Sequence, residues 1–343
     1  MEAVWYGIVS VMLAVYVALD GYDLGAGTLH LLVARDDAER RDVLGAIGPF
    51  WDGNEVWLIA GGGALVLAFP VAYAVGFSGF YLPLTLVLWL LLLRGLSIEF
   101  RNHVENPLWA AFWDVTFALG SALLAVVLGA ALGNVLRGVP LDATGLFYLP
   151  FFATLLPGPG AGVLDAYTVL VGVFTLLALA AHGGTFLALR AGGAVAARSL
   201  RAARGLYVLA AVLFPVVTWA TLRVRPTLAG GAAVRPLAWA TLVVVAVAAA
   251  LLAWALARGS AGLAFGASTA LLLGLLATAA AASWPVLLHS TVDARFDLTA
   301  GKAAAQGHAL RTGLAWAAVG LPLACAYLFY VVRTFRRPAA GER

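Results

Sequence analysis

Two pairs of acids stand inside long apolar runs of the 343-residue chain: Asp20 and Asp23 in "LDGYDLGAG", Asp52 and Glu55 in "FWDGNEVWLIAGGG". Both pairs have i, i+3 spacing, so on a helix each pair faces one way. Charged side chains at membrane depth are costly, and carboxyls placed there mark a proton or ion path by default. Asp114, in the first turns of another apolar run, joins these four as a candidate carrier. Asn54, Arg94, Glu99 and Arg101 are polar neighbours expected to order the cluster. Gly21, Gly25 and Gly27, and the Gly61–Gly63 run, would let other backbones approach these faces closely. The sequence thus predicts a carboxylate cluster, Asp52 included, buried between packed helices and open toward one side. A structural reading competes: Asp52 caps a helix N-terminus, while Glu55 pairs with Arg94 or Arg101.

Other chemistry finds little support. The haem-ligand candidates are His30, His103, His182, His289, His308, Met1 and Met12. Met12 and His30 share a helix about 27 Å apart, too far to hold one iron. Only His182 lies deep in a span, without an evident second ligand, and it reads as a hydrogen-bonded core residue. No phosphate loop, dinucleotide fingerprint, nucleophile elbow or zinc motif occurs. The lone Cys325 excludes disulfides within the chain.

The elements that must position these acids follow from composition. The chain is 63% hydrophobic and 11% charged, with a mean hydropathy of +0.96. Apolar runs of 18 or more residues recur, so the fold class is an all-α polytopic membrane protein. Nine spans are predicted at 4–33, 52–73, 76–100, 108–136, 162–189, 205–223, 236–257, 262–286 and 308–332. They suggest two four-helix bundles (1–136 and 162–286), outer loops at 137–161 and 287–307, and a peripheral last helix at 308–332. The N-terminus reads as a retained first span, not a signal peptide.

The pI near 9.4 reflects short basic loops, not a nucleic-acid surface. Loops after odd spans and the C-terminal tail hold fourteen basic residues, including Arg336, Arg337 and Arg343; the other loops hold seven. The positive-inside rule then predicts an outside N-terminus and a cytoplasmic C-terminus. All the acids near membrane depth fall toward the cytoplasmic side except Asp165, at an outer helix end.

The segments "ALDGYDLGAG" (18–27), "IGPFWDGNEVWLIAGGGALVLAFPVAYA" (47–74), "FSGFYLPL" (77–84) and "RGLSIEFR" (94–101) resemble, in order and spacing, subunit II of the cytochrome bd-type quinol oxidases. "FDLTAGKAAAQGHALRTGL" is similar to the family's segment before the last helix. It departs from it in carrying "GKAAAQ" where members have an Asn and a Ser pair, and in Lys302, the only lysine. The resemblance implies a bacterial inner-membrane quinol:oxygen oxidoreductase. Its haem-bearing subunit I would hold the haems, this chain would bind no cofactor alone, and a small accessory subunit is possible. It also implies a proton route at Asp52 and a structural quinone at Trp51. Subunit I would dock on the acid-bearing face of the first helices, with lipid around the rest. The alternative is a proton- or ion-coupled secondary transporter using Asp20, Asp23 and Asp52 as ligands.

Overall fold

The computed structural model describes residues 1–158 and 160–335; Arg336, Arg337 and Arg343 of the basic count lie outside the described residues. Helix α1 (Glu2–Val33) is almost wholly apolar and ends at a basic turn. Asp36 then caps α2 (Asp37–Ile47), accepting from the Glu39 amide at 2.9 Å. Helix α2 is short and amphipathic: Val43, Leu44, Ala46 and Ile47 are buried while Asp37 and Arg41 face outward. The predicted spans place no helix between residues 33 and 52, because this stretch is too short and charged to cross a membrane.

Helix α3 (Trp51–Ala68) stops before Pro70, which opens α4 (Pro70–Gly79). Proline has no amide to donate and suits a first helical position, so the predicted span 52–73 is cut in two. Helix α5 (Tyr81–Phe100) therefore begins five residues later than predicted. Asn106 caps α6 (Pro107–Arg137), and Gly138 at φ +100° ends it.

Helix α7 (Ala166–Arg190) opens with a capping box between Asp165 and Thr168, four residues past the predicted start. Helix α8 (Gly193–Val224) is longer than predicted, because its first turns carry Arg198, Arg201 and Arg204, which depress hydropathy there. A short α9 (Thr227–Ala233) precedes the hairpin of α10 (Pro236–Arg258) and α11 (Ala261–Ser283), turned by Gly259 in the left-handed region. A two-stranded antiparallel ribbon of β1 (Val286–Leu288) and β2 (Leu298–Thr299) and the single turn α12 (Ala300–Ala303) lead to α13 (Gly307–Thr334).

Eight of these helices are long and apolar enough to cross a membrane. Helix α3, with 18 residues and about 27 Å long, carries Asp52, Asn54 and Glu55 in its first turns and falls short on hydropathy alone. Its two ends lie on opposite faces. Phe50, just before it, packs on Phe335 and under the Arg190 guanidinium; Ala68, at its end, accepts from the Ala305 amide at 2.9 Å. It thus runs alongside the eight long helices from one face to the other. We call the face holding the start of α1 the N-side and the opposite one the C-side.

Helices α1 and α7 form the centre: α1 packs on α3, α6, α7 and α11, and α7 on α1, α6, α8 and α11. They cross backbone to backbone at Gly25 and Gly183, where a Cβ on either would collide with main-chain atoms of the other helix. Helix α13 is the outlier, most of its length exposed and its main helix contact being α3.

Candidate functional site

One stripe of α1 carries most of the buried polar chemistry. Tyr16, Asp20, Asp23, Gly27 and His30 follow at alternating four- and three-residue steps, which keeps them on one helix face. All five are buried. The acids of this face are enclosed by the chain's own helices, so the expectation that a partner docks on it is corrected.

The stripe feeds two clusters. In the first, Arg94 from α5 donates from Nη1 to Asp20 Oδ1 and from Nη2 to Glu55 Oε1, each at 2.5 Å. Asn54, one residue before Glu55, donates to Tyr22 Oη at 2.7 Å and to Asp23 Oδ2 at 2.8 Å. Arg94, Asp20 and Asp23 are fully buried, whereas the Glu55 side chain is 22% exposed. Tyr16 Oη, Asp20 Oδ2, Asp23 Oδ1 and Arg94 Nε are buried without a protein partner. That concentration of open donor and acceptor positions suits ordered water.

The second cluster surrounds Asp114 of α6. His30 Nε2 lies 2.7 Å from its carboxylate, Arg101 donates at 2.5 and 3.1 Å, and Arg40 of α2 donates at 3.0 Å. Arg101 also reaches Asp37 at 2.8 Å, and this guanidinium holds the exposed Asp37 carboxyl below its usual range. The cluster joins α1, α2, the end of α5 and α6 on the C-side. Along α1, His30 is ten residues and about 15 Å from Asp20.

Asp52 departs from its predicted place. It is exposed, and α3 has no side-chain cap, so Asp52 is neither buried among the acids nor a cap. Glu99 is exposed as well. Both stand at one end of a groove of about 730 Å³ between α13 and the α1–α3 pair, with Trp51, Trp57, Trp316 and Leu328 along its walls. The Trp51 ring lies over Gly95, where a Cβ would come within 3.4 Å of it. The sequence-predicted residues therefore separate: Asp20, Asp23, Asn54, Glu55 and Arg94 come together; Asp114 and Arg101 form another group; Trp51, Asp52 and Glu99 border the groove. Tyr16, Tyr22, His30 and Arg40 were missed as members of the two clusters. The stripe spacing on α1 was the available signal for Tyr16 and His30; Tyr22, which lies off that stripe, and Arg40 had none.

His182 engages both ring nitrogens, Nδ1 with Ser268 Oγ at 2.7 Å and Nε2 with the Ala18 carbonyl at 2.9 Å, and stacks on Phe265. Neither nitrogen is open to a metal. Among the described residues no group of three or more His, Cys, Asp or Glu side chains is placed to hold a metal ion. On the N-side, Arg137 pairs with Asp165 and donates to Asn134 at 2.7 Å, tying the end of α6 to the start of α7.

The sequence profile of the family "Cytochrome bd terminal oxidase subunit II" matches residues 1–335. Cytochrome bd-I ubiquinol oxidase subunit 2 of Escherichia coli (strain K12) is 37% identical over 193 residues, 56% of this chain and 50% of that one. The probable cytochrome oxidase subunit 2 of Haemophilus influenzae is 37% identical over 190 residues, 55% of this chain and 49% of that one. The alignments thus span about half the length of these two relatives. Cytochrome bd ubiquinol oxidase subunit 2 of Bacillus subtilis (strain 168) is 29% identical over 345 residues, 98% of this chain and 96% of that one. Among solved structures, a chain of the bd oxidase from Geobacillus thermodenitrificans has the same fold, with a TM-score of 0.72 at 20% identity, covering 97% of this chain and 98% of that one.

Proposed function

The chain belongs to the cytochrome bd terminal oxidase subunit II family, and from that premise we propose that it supports a haem-bearing subunit I in oxidising quinol and reducing oxygen to water in the bacterial inner membrane. Its own contribution in this reading is proton intake from the cytoplasm, which is the C-side. The N-terminus is then outside, as the charge count predicts. Two bundles, with α13 at the periphery, are part of the same reading.

The observation that carries the intake role is the Arg94 bridge. One guanidinium holds both the partly exposed Glu55 and the fully enclosed Asp20. Three carboxyls, those of Asp20, Asp23 and Glu55, share this one cation. Fully ionised, the cluster would leave two negative charges uncompensated in hydrocarbon, far costlier than binding protons. Protons therefore reside there, and the open oxygens of Asp20 and Asp23 and the Tyr16 hydroxyl offer water-bridged steps inward. Asp52 and Glu99 form an acidic rim that gathers protons ahead of Glu55. Asp114 fits a structural role better, since two guanidinium groups compensate its charge and His30 adds a hydrogen bond.

The groove fits a structural quinone or another linear lipid: its walls are mostly apolar, with Trp51 and the two acids at one end. There Trp51 would lie against the bound molecule and the small residues of α3 and α13 would leave room for its chain. A quinone supplies redox chemistry when bound.

The deciding experiment measures proton uptake and oxygen consumption per haem in the assembled oxidase with Glu55→Gln and with Asp20→Asn. Loss of both activities at unchanged haem content supports the reading. Full turnover in both variants overturns it.

A further inference from the structure

The N-side connection between α6 and α7 does not look like a solvated loop. None of residues 143–164 is charged. Its outward side chains are large and apolar: Phe152 is 59% exposed, Leu155 63% and Leu156 75%. Single exposed leucines need no explanation, but a contiguous set does.

The segment is built with two faces. Leu141, Leu149, Ala161 and Val163 are buried against the bundle, and Phe147 packs on Gly79 and Phe80. Part of the backbone around the exposed side chains is paired: the carbonyls of Pro150, Phe151 and Leu155 each accept, at 2.9 Å, from the amides of Val163, Leu164 and Ala166. Non-helical backbone survives near hydrocarbon only when such groups are satisfied.

The flanking acids are both engaged, Asp142 at the surface within its own turn and Asp165 in the interior. Asp142 accepts from Thr144, and Asp165 is buried on Arg137 and Thr168. The last of the backbone bonds fastens Leu155 to the first turn of α7, whose Val169 and Val173, four residues apart, form an exposed apolar strip. The loop thus prolongs the outer wall of a membrane-crossing helix.

We propose that Phe152, Leu155 and Leu156 dip into the N-side leaflet, at the boundary between headgroups and acyl chains, as an interfacial anchor of this subunit. Acyl chains are the occupant that an uncharged, apolar face continuous with a spanning helix fits. A charged protein surface would meet no counter-charge here. The anchor does not depend on the oxidase reading.

The test uses the assembled complex in phospholipid nanodiscs, with Cys325 replaced by serine and a nitroxide attached at Leu156→Cys. Val173→Cys serves as the lipid reference and Arg295→Cys, whose native side chain is 83% exposed, as the aqueous one. Power saturation with oxygen and with a water-soluble nickel chelate should group Leu156 with Val173: strong oxygen collision, weak nickel collision. Grouping with Arg295 would overturn the proposal by placing the loop in water. Shielding from both reagents would overturn it by placing a protein partner there. Phe152→Cys, read the same way, decides the matter should Leu156→Cys fail to assemble.

Discussion

The Arg94 and Asp114 clusters contain the same kinds of group in opposite proportion. Around Arg94 one cation serves three carboxyls; around Asp114 two guanidinium groups and an imidazole serve one carboxylate, with Asp37 sharing Arg101. Excess acid in an enclosed site holds protons, and a site that holds protons can pass them on. Excess cation around one acid fixes geometry. In the proposed reading, charge stoichiometry, more than depth or acidity alone, separates a carrier from a pin.

The comparison breaks most visibly at Arg94. Arg94→Met strips the bridging cation from Asp20 and Glu55 and is expected to cost about 3–5 kcal/mol, the range for breaking a buried ion pair. Thermal unfolding of the purified complex measures it, and an unchanged midpoint would contradict the bridge. Asp114→Asn comes next, at about 2–3 kcal/mol, lessened because the Arg40 side chain is 29% exposed and reaches water. Its oxygen consumption per assembled haem should stay at the wild-type level, which is what distinguishes a pin from a carrier. Glu55→Gln should do the reverse: near-normal stability, with turnover per haem down about tenfold, roughly 1.4 kcal/mol in the barrier. Asp52→Asn is the smallest, within the ±0.5 kcal/mol or so usual for exposed substitutions and with turnover changed less than about twofold. A strong defect there, at normal assembly, would move the intake point out to the groove rim.

Why some of this was legible and some not follows from particular residues. Apolar runs and basic turns are local properties, so the all-α class, most helix ends and eight of the nine predicted spans could be read directly. The exceptions have local causes too: Pro70 inside an apolar run, arginines in the first turns of α8, and a short amphipathic stripe in α2 hidden among charges. The i, i+3 rule joined Asp20 with Asp23 correctly but failed for Asp52 and Glu55. Such residues are about 60° apart around a helix, and in the first turn of α3 that angle separates the groove from the interior. The longer glutamate side chain reaches Arg94; the aspartate does not. Tertiary partners such as Asn54 with Asp23 leave no trace in one sequence. Charge counting had its own blind spot. Arg198, Arg204, Arg225 and Arg235 donate to main-chain carbonyls at or near the ends of neighbouring helices, at Val33, Leu256, Leu136 and Ala281 with Ala282. They secure helix ends as well as marking a side.

The crossing of α1 and α7 at Gly25 and Gly183 has a mechanical consequence. With main chain against main chain, no layer of side chains remains to slide, so the two helices travel as one body. A valve built on α1 has no piston stroke available. What can turn is Glu55, a rotor on three single bonds at the margin of the packed interior. Exposed side chains flip in picoseconds to nanoseconds and helix shifts take microseconds to milliseconds; Glu55, 22% exposed and held by Arg94, falls between these limits. On the proposed intake reading, stiffness at these two glycines leaves the supply of the α1 acids to side-chain turns rather than to helix motion.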